Sequence, residues 1–128
     1  KIQSSGITIG VVTGSGQRPL IQRLLSDFKG FLTEDHIVSA YDVKRGKPNP
    51  DPYLMGLRKT GNFEPWQGIV VENAPLGVRA GSAANIFTVG INSGPLPDSA
   101  LADNGANIVL QRMTELCDLW SDILAERN

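Results

Sequence analysis

The stretch at 68–85, GIVVENAPLGVRAGSAAN, decides the fold of this 128-residue chain. It opens with the short run IVV at 69–71, whose β-branched residues favour a strand buried on both faces of a parallel sheet. Pro75 fixes a helical φ, and the small residues after it predict a helix. A buried strand that runs directly into a helix indicates an α/β architecture.

Two polar residues, Glu72 and Asn73, stand between this strand and its helix. In open α/β sheets, ligands bind just beyond the carboxyl ends of the strands. A carboxylate and an amide at that position indicate metal or phosphate chemistry. The residues alone leave a second interpretation open, in which Asn73 caps the helix and Glu72 is a solvated turn residue.

The rest of the chain repeats the alternation of strands and helices. Pro19 opens a helix that Gly30 would stop, and the prolines in KRGKPNPDP at 44–52 exclude regular structure there. Asp51 is the expected N-cap of the next helix, and the final helix is expected to be continuous with one apolar side. The predicted strands are 7–12, 37–39, 69–71, 86–89 and 107–110, and the predicted helices are 19–28, 51–59, 75–84, 99–104 and 113–126, the last with Leu116, Leu119, Trp120, Ile123 and Leu124 on one side.

Composition excludes several classes of function. The net charge of −1 indicates neither a nucleic-acid partner nor an anionic membrane surface. The single Cys117 and the single His36 exclude an internal disulfide, a Cys-rich zinc site and a two-His metal site within the chain. No apolar run approaches the roughly 20 residues that cross a bilayer, so no membrane partner is expected and the cytoplasm is the default location.

Three separate loops are expected to meet at one edge of the sheet. Thr13 follows the strand at 7–12, Lys47 lies in the loop after the strand at 37–39, and Glu72 follows the strand at 69–71. Taken singly, the threonine reads as a turn residue and the lysine as a solvated side chain. Because the carboxyl ends of parallel strands share one edge, their convergence favours a functional site.

The same loops carry a family resemblance. VVTGS at 11–15, GKPNPDPY at 46–53 and IVVENAPLGVRAG at 69–81 resemble the haloacid dehalogenase superfamily, most closely its β-phosphoglucomutase-like sugar-phosphate phosphatases and mutases. The resemblance covers nearly the whole chain. It implies a Rossmann-like three-layer α/β fold with a parallel sheet.

The resemblance also implies roles for residues in the first two loops. Thr13 matches the family residue that hydrogen-bonds the transferring phosphoryl group, and the backbone N–H groups of Gly14 and Ser15 help to hold phosphoryl oxygens. Lys47 matches the lysine that neutralises charge on the nucleophile and the phosphoryl group. Such a fixed ammonium offsets the repulsion between a carboxylate and a phosphate dianion.

In the third loop, the resemblance implies that Glu72 and Asn73 hold Mg²⁺, directly or through water. The family usually has aspartate where this chain has Asn73. An amide oxygen still coordinates a metal ion, but it brings no charge. A weaker metal site is therefore expected unless Glu72 compensates.

A second departure concerns the family's nucleophile and its cap domain. No DxDG-type loop follows a strand here, and no cap domain is present. We therefore expect residues 1–128 to be a partial core domain that lacks the first strand and the cap, with the aspartate of the aspartyl-phosphate outside this chain. The expected function is Mg²⁺-dependent phosphoryl transfer on a small phosphorylated metabolite by the longer parent, with the fragment alone inactive.

The missing strand has a structural consequence. In the family sheet it lies between the strands that end here at Thr13 and Glu72, and without it both neighbours expose unpaired backbone edges. Three outcomes remain open: the edges pair with one another, a strand is borrowed from another copy in a homodimer, or a cleaved N-terminal piece is retained.

Other function classes explain fewer of these residues. Gly14-Ser15-Gly16 after a strand hints at a nucleotide loop, but neither GK[ST] nor GxGxxG is present. A response-regulator-like receiver would leave GKPNPDP unexplained. The serious alternative is a non-catalytic remnant or interaction domain of the same superfamily, with Asn73 as one sign of a decayed site.

Overall fold

Parallel strands and intervening helices form the architecture that the sequence predicts. The computed structural model describes residues 6–14, 16–30 and 32–126. In one sheet, β1 (Val11–Val12) pairs with β2 (Ile37–Val38); in the other, β4 (Phe87–Ile91) lies between β3 (Ile69–Glu72) and β5 (Ile108–Leu110). Every pairing is parallel, which confirms the α/β class.

The helices connect these strands. Proline stands in the first turn of α1, α2 and α3, where its missing N–H group costs no hydrogen bond. The helices are α1 (Arg18–Asp27), α2 (Asp51–Gly61), α3 (Pro75–Ala83), α4 (Ser99–Ala102), α5 (Met113–Asp118) and α6 (Trp120–Glu126), with short 3₁₀ turns at Glu34–His36, Ala40–Asp42 and Pro65–Gln67.

Helices cover both faces of the three-stranded sheet. Successive residues of a strand point to opposite faces, and the neighbours Ile69 and Val70 of β3 pack into different apolar clusters. The three-layer arrangement is therefore present. The clusters comprise Val89, Ile91, Leu110, Leu116, Trp120 and Ile123 at α5 and α6; Tyr53, Val70, Ala80, Ala84 and Ile86 at α2 and α3; and Ile21, Leu32 and Ile37, where α1 packs on β2.

The strand predicted at 7–12 is much shorter than expected. Only Val11 and Val12 form a ladder, because β2 offers two residues for pairing. The predicted strand at 37–39 likewise ends at Val38, since Ser39 caps the following 3₁₀ turn through a hydrogen bond with Tyr41. The length of β1 is thus limited by the length of β2, the strand with which it pairs.

Both ends of α2 also differ from the sequence prediction. At α2, the side chain of Asn49, rather than Asp51, accepts the first backbone N–H, at 3.1 Å. The helix continues past Lys59 to Gly61, and Asn62 ends it in the left-handed conformation with φ of 53°. Asparagine tolerates that conformation better than most residues, which explains the later end.

The continuous final helix predicted at 113–126 is wrong. It breaks at Leu119 into α5 and α6. Leu116 is 1% exposed and Leu119 is 38% exposed, although both were expected on one buried side. The break turns the second half so that Trp120 and Ile123 still reach the core. In the described part of the chain, no helix has the length and apolar character needed to cross a membrane.

A cleft of about 1120 Å³ separates the two sheets. Residues 6–14 line one side of it and residues 66–74 line the other, and no ladder joins β1 to β3 within the described residues. Of the three outcomes that the sequence leaves open, pairing of these two edges with one another is therefore not the one found in the described residues. Each strand instead pairs on its far side only, with β2 and with β4.

Candidate functional site

The loop between β2 and α2 delivers Lys47 to the carboxyl edge of the sheets. Proline stiffens this loop, and Arg45 Nε donates a hydrogen bond to Asp51 Oδ2 across it at 3.3 Å. Asn49 fixes the start of α2 immediately afterwards. The loop therefore holds the stem of Lys47 at a defined place.

The ammonium of Lys47 lies between the two sheets. Its Nζ donates to Oε1 of Glu72 at 2.5 Å and to the backbone oxygen of Val12 at 3.4 Å. It also stands 5.1 Å above the ring of Tyr53. Lysine thus bridges the end of β1 and the end of β3, across the mouth of the cleft.

Both carboxylate oxygens of Glu72 are engaged. Oε1 accepts from Lys47 and from Tyr53 Oη, each at 2.5 Å, whereas Oε2 accepts from the backbone N–H groups of Asn73 at 3.2 Å and Ala74 at 3.4 Å. The absence of a side chain at Gly77 makes room, because a methyl group there would overlap the carboxylate. The short bonds are on Oε1 and the long ones on Oε2.

Sequence reasoning missed Tyr53. The residue lies in the first turn of α2 and packs its ring into the cluster that contains Val70 and Ala80, with its hydroxyl on Glu72. The available signal was an aromatic residue with a polar tip on the buried side of a helix that starts just after Lys47. Such a hydroxyl usually requires a buried partner.

Electrostatics favour the anionic form of Glu72 and the neutral form of Tyr53. Burial alone raises the pKa of Glu72, but the hydrogen bonds from Lys47 and Tyr53 and the charge of Lys47 outweigh it, so that the pKa lies below its ordinary value of 4.5. Burial, together with the hydrogen bond to Glu72 and its negative charge, raises the pKa of Tyr53. Glu72 is therefore an anion, and the phenol remains a hydrogen-bond donor.

Thr13 and Gly14 lie directly after β1. Lys47 contacts this edge of the sheet through its hydrogen bond to the backbone oxygen of Val12. The backbone N–H of Thr13 donates to Val38 at 2.9 Å, which ties the start of this loop to β2. Gly14 is exposed. Ser15, the other predicted phosphate contact, lies outside the described residues.

Asn73 is exposed at the end of β3, and its side chain makes no hydrogen bond to the described part of the chain. The capping interpretation of Asn73 is wrong, since Ala74 is the N-cap residue and the carboxylate of Glu72 accepts the N–H groups there. Glu72 is also buried rather than solvated. The amide oxygen of Asn73 thus remains available to a ligand.

The donor set fits Mg²⁺ only as part of a larger site. Among the described residues, no group of three or more His, Cys, Asp or Glu side chains could hold a metal ion. The amide oxygen of Asn73 and the weakly bonded Oε2 of Glu72 are suitable oxygen ligands for Mg²⁺, which also retains water. Additional ligands from outside these residues would be needed.

The comparisons with known proteins identify the family. The family model described as haloacid dehalogenase-like hydrolase matches residues 1–91. The validoxylamine A 7'-phosphate phosphatase of Streptomyces hygroscopicus is 36% identical over 91% of this chain and 52% of its own length. Hexitol phosphatase A of Escherichia coli is 34% identical over 90% of this chain and 50% of its length. The chain thus spans about half the length of these relatives.

Solved structures give the same result. A Bacteroides vulgatus protein provisionally named a β-phosphoglucomutase is 48% identical, with a TM-score of 0.87 over 97% of this chain and 49% of that protein. A Thermotoga maritima protein with the same provisional name is 27% identical, with a TM-score of 0.82 over 95% of this chain and 56% of that protein. Both contain a similar fold within a chain about twice as long.

Proposed function

Because this chain belongs to the haloacid dehalogenase-like hydrolase family, with phosphatases and β-phosphoglucomutase-like proteins as relatives, we propose that the full-length protein transfers the phosphoryl group of a small phosphorylated metabolite. Hydrolysis to a free alcohol and transfer between positions of a sugar phosphate are its two possible outcomes. The phosphatases that this chain resembles are named for validoxylamine A 7'-phosphate, for hexitols and for 2-deoxyglucose-6-phosphate, which makes a sugar or polyol phosphate the first substrate to test.

The observation that carries this proposal is the position of the Lys47 ammonium. It lies at the end of β3, bonded to Glu72, and 3.4 Å from Val12, the residue before Thr13. Lysine has three donors, and the hydrogen bonds within the described residues use two of them, so a third can reach a phosphoryl oxygen. An ammonium in a partly buried site stabilises developing negative charge far better than one in water.

The remaining residues at this edge support the same chemistry. The hydroxyl of Thr13 and the backbone N–H groups of Gly14 and Ser15 would hold phosphoryl oxygens opposite Lys47. A carboxylate outside this chain would attack phosphorus, forming an aspartyl-phosphate as the bond from phosphorus to the metabolite's oxygen breaks. Water, or a sugar hydroxyl in a mutase, would then take the phosphoryl group and release the carboxylate.

Mg²⁺ is the metal that the proposal requires, with Asn73 and Oε2 of Glu72 as this chain's contribution to its site. When bound, the ion would neutralise part of the phosphate charge. The residues of the chain would orient that charge and exclude water.

The cleft between β1 and β3 has room for a strand from elsewhere in the protein or from a partner. We propose that a further strand, from the preceding part of the same protein or from a second copy, pairs with the two edges that face the cleft. Unpaired backbone edges are costly and favour strand addition. The isolated chain would be inactive in any case, since it lacks the attacking carboxylate.

The experiment that tests the proposed function is turnover of p-nitrophenyl phosphate and a panel of sugar and polyol phosphates by the full-length protein with Mg²⁺. Lys47→Ala should lower kcat by about 100-fold, as losses of a charge-stabilising group do. Lys44→Ala, which removes an exposed charge from the same loop, should change kcat by less than about twofold. Activity that Lys47→Ala leaves unchanged would refute the role of Lys47.

A second candidate function is a non-catalytic interaction domain, and the observation that favours it is the neutral Asn73 beside a carboxylate whose oxygens are already bonded. Absence of turnover by the full-length protein on every phosphate of the panel, with Mg²⁺ at millimolar concentration, would support this candidate instead.

A further inference from the structure

Tyr53 and Lys47 share one oxygen of Glu72, and the same lysine lies over the tyrosine ring. We propose that Tyr53 is a positioning residue, which holds the Lys47 ammonium at the mouth of the cleft through both its ring and its hydroxyl. The effect that this inference predicts on kcat rests on the proposed function. The effect that it predicts on the position of the Lys47 side chain does not.

The ring supplies one anchor. Tyr53 is buried and packs against Val70 and Ala80, so its ring cannot move without disturbing the core. Lys47 Nζ stands 5.1 Å from the centre of that ring, within the range of a cation–π contact. A rigid aromatic surface thus lies beneath the end of a flexible four-carbon stem.

The hydroxyl supplies the second anchor, through Glu72. It donates to Oε1 at 2.5 Å, the atom that also accepts from Lys47. This bond holds Oε1 toward α2 and Lys47, and leaves Oε2 to the longer bonds from Asn73 and Ala74. Tyr53 therefore fixes which carboxylate oxygen pairs with the lysine and which faces the end of β3.

Loss of the hydroxyl should release the ammonium. Tyr53→Phe keeps the aromatic ring and removes the hydrogen bond to Glu72. Tyr53→Met removes both the hydrogen bond and the aromatic ring, and it largely preserves the volume of the side chain. We expect Lys47, whose side chain is 23% exposed, to become more accessible in the first variant and still more in the second.

Competitive acetylation of the full-length protein with limiting acetic anhydride measures how accessible the Lys47 ammonium is. The extent of acetylation at each lysine is read by mass spectrometry. Lys59 is the matched internal control, since its side chain is 27% exposed and pairs with Asp42. Tyr53→Phe should raise the acetylation rate of Lys47 three- to tenfold relative to Lys59, and Tyr53→Met should raise it further. Tyr41→Phe, which alters an 82% exposed tyrosine, should leave the ratio unchanged. A ratio that stays at the wild-type value in both Tyr53 variants would overturn the proposal.

A double-mutant cycle separates positioning from a general structural role. Tyr53→Phe should lower kcat about tenfold with KM changed less than twofold, the loss of one hydrogen bond to a charged group. In the Lys47→Ala background, the same change should lower kcat by less than about twofold, because the group that Tyr53 positions is gone. Factors that multiply in the double variant would contradict the inference.

The two proposals fail in distinguishable ways. If the wild-type protein neither hydrolyses nor isomerises any of the phosphates, the proposed function fails, and the acetylation ratio still decides whether Tyr53 positions Lys47. If the enzyme is active but the acetylation ratio stays unchanged in both Tyr53 variants, the positioning role fails and the proposed function stands.

Discussion

The Nζ atom of Lys47 lies 2.5 Å from Oε1 of Glu72, although 25 positions separate the two residues along the chain. Lys47 belongs to the loop after β2, and Glu72 ends β3, so the ion pair connects the two sheets. The pair is largely buried, with side-chain exposures of 23% and 8%. Removing one partner would leave a buried charge without compensation, which makes both residues important for stability as well as for the proposed chemistry.

Acid should destabilise the protein through Glu72. Its folded-state pKa lies below the ordinary value of 4.5, so the unfolded chain takes up a proton first as the pH falls. The contribution of Glu72 is present above about pH 4.5 and is lost as the pH falls through the lower folded-state pKa. Melting temperature followed by circular dichroism from pH 7 to pH 3 measures this loss.

Glu72→Gln is the variant that assigns the acid effect. It should lower the free energy of unfolding by about 2 kcal/mol at pH 7, because Lys47 and Tyr53 lose an anionic acceptor. It should also flatten the dependence on pH below 4.5. Part of the slope should remain, since the hydrogen bond from Ser39 lowers the pKa of Asp42 as well. An unaltered slope in Glu72→Gln would show that Glu72 does not carry the effect.

Gly77→Ala should destabilise the protein by about 2 kcal/mol, the usual cost of overpacking. The added methyl group would overlap the carboxylate of Glu72, which four hydrogen bonds hold in place. Gly94→Ala is the matched control, because a methyl group there meets nothing within 4 Å. Chemical denaturation of both variants provides the comparison, and equal stabilities would disprove the crowding at Gly77.

Asn73→Asp should tighten the binding of Mg²⁺ to the full-length protein by about tenfold, since it places a second negative charge beside Glu72. Isothermal titration calorimetry with MgCl₂ measures the affinity directly. Asn104→Asp adds the same charge in the turn that leads into β5, at the opposite edge of the sheet, and should leave the affinity unchanged. An equal effect of both substitutions would indicate nonspecific attraction of the cation.

Leu116→Ala should lower the free energy of unfolding by about 3 kcal/mol, the cost of a cavity in a packed core. Leu119→Ala should cost less than about 1 kcal/mol, because the break between α5 and α6 leaves that side chain partly in solvent. The two leucines are 1% and 38% exposed. Urea denaturation distinguishes them, and a Leu119→Ala variant as unstable as Leu116→Ala would argue for one continuous helix.

Elements whose signals are local could be predicted from the sequence. The β-branched run at 69–71 and Pro75 identified β3 and α3 closely, because burial and proline geometry act within a few residues. The final helix was mispredicted for the opposite reason. Its apolar spacing fits one long helix, and only packing against β4 and β5 decides that the chain turns at Leu119.

Some residues of the candidate site could likewise be predicted from the sequence, and others could not. Lys47 and Glu72 were chosen from their loops and from the rule that parallel strands end at one edge, and the structure brings them into contact. Tyr53 and Gly77 were not, although they lie within the motifs at 46–53 and 69–81, because a motif does not show which of its residues contact one another. Their importance comes from what lies beside them, a carboxylate that reaches back against α3 and across to α2.

By itself the sequence determined the order of strands and helices, the family, and the residue types gathered after each strand, because these depend on hydrophobic periodicity and on short motifs. Only the tertiary structure decided that the two sheets face a cleft, that Glu72 is buried and accepts hydrogen bonds on both carboxylate oxygens, and that Tyr53 lies between the core and Lys47. The physical reason is that hydrogen bonds and close packing depend on distances in space between residues that are far apart along the chain, and no local pattern encodes those distances.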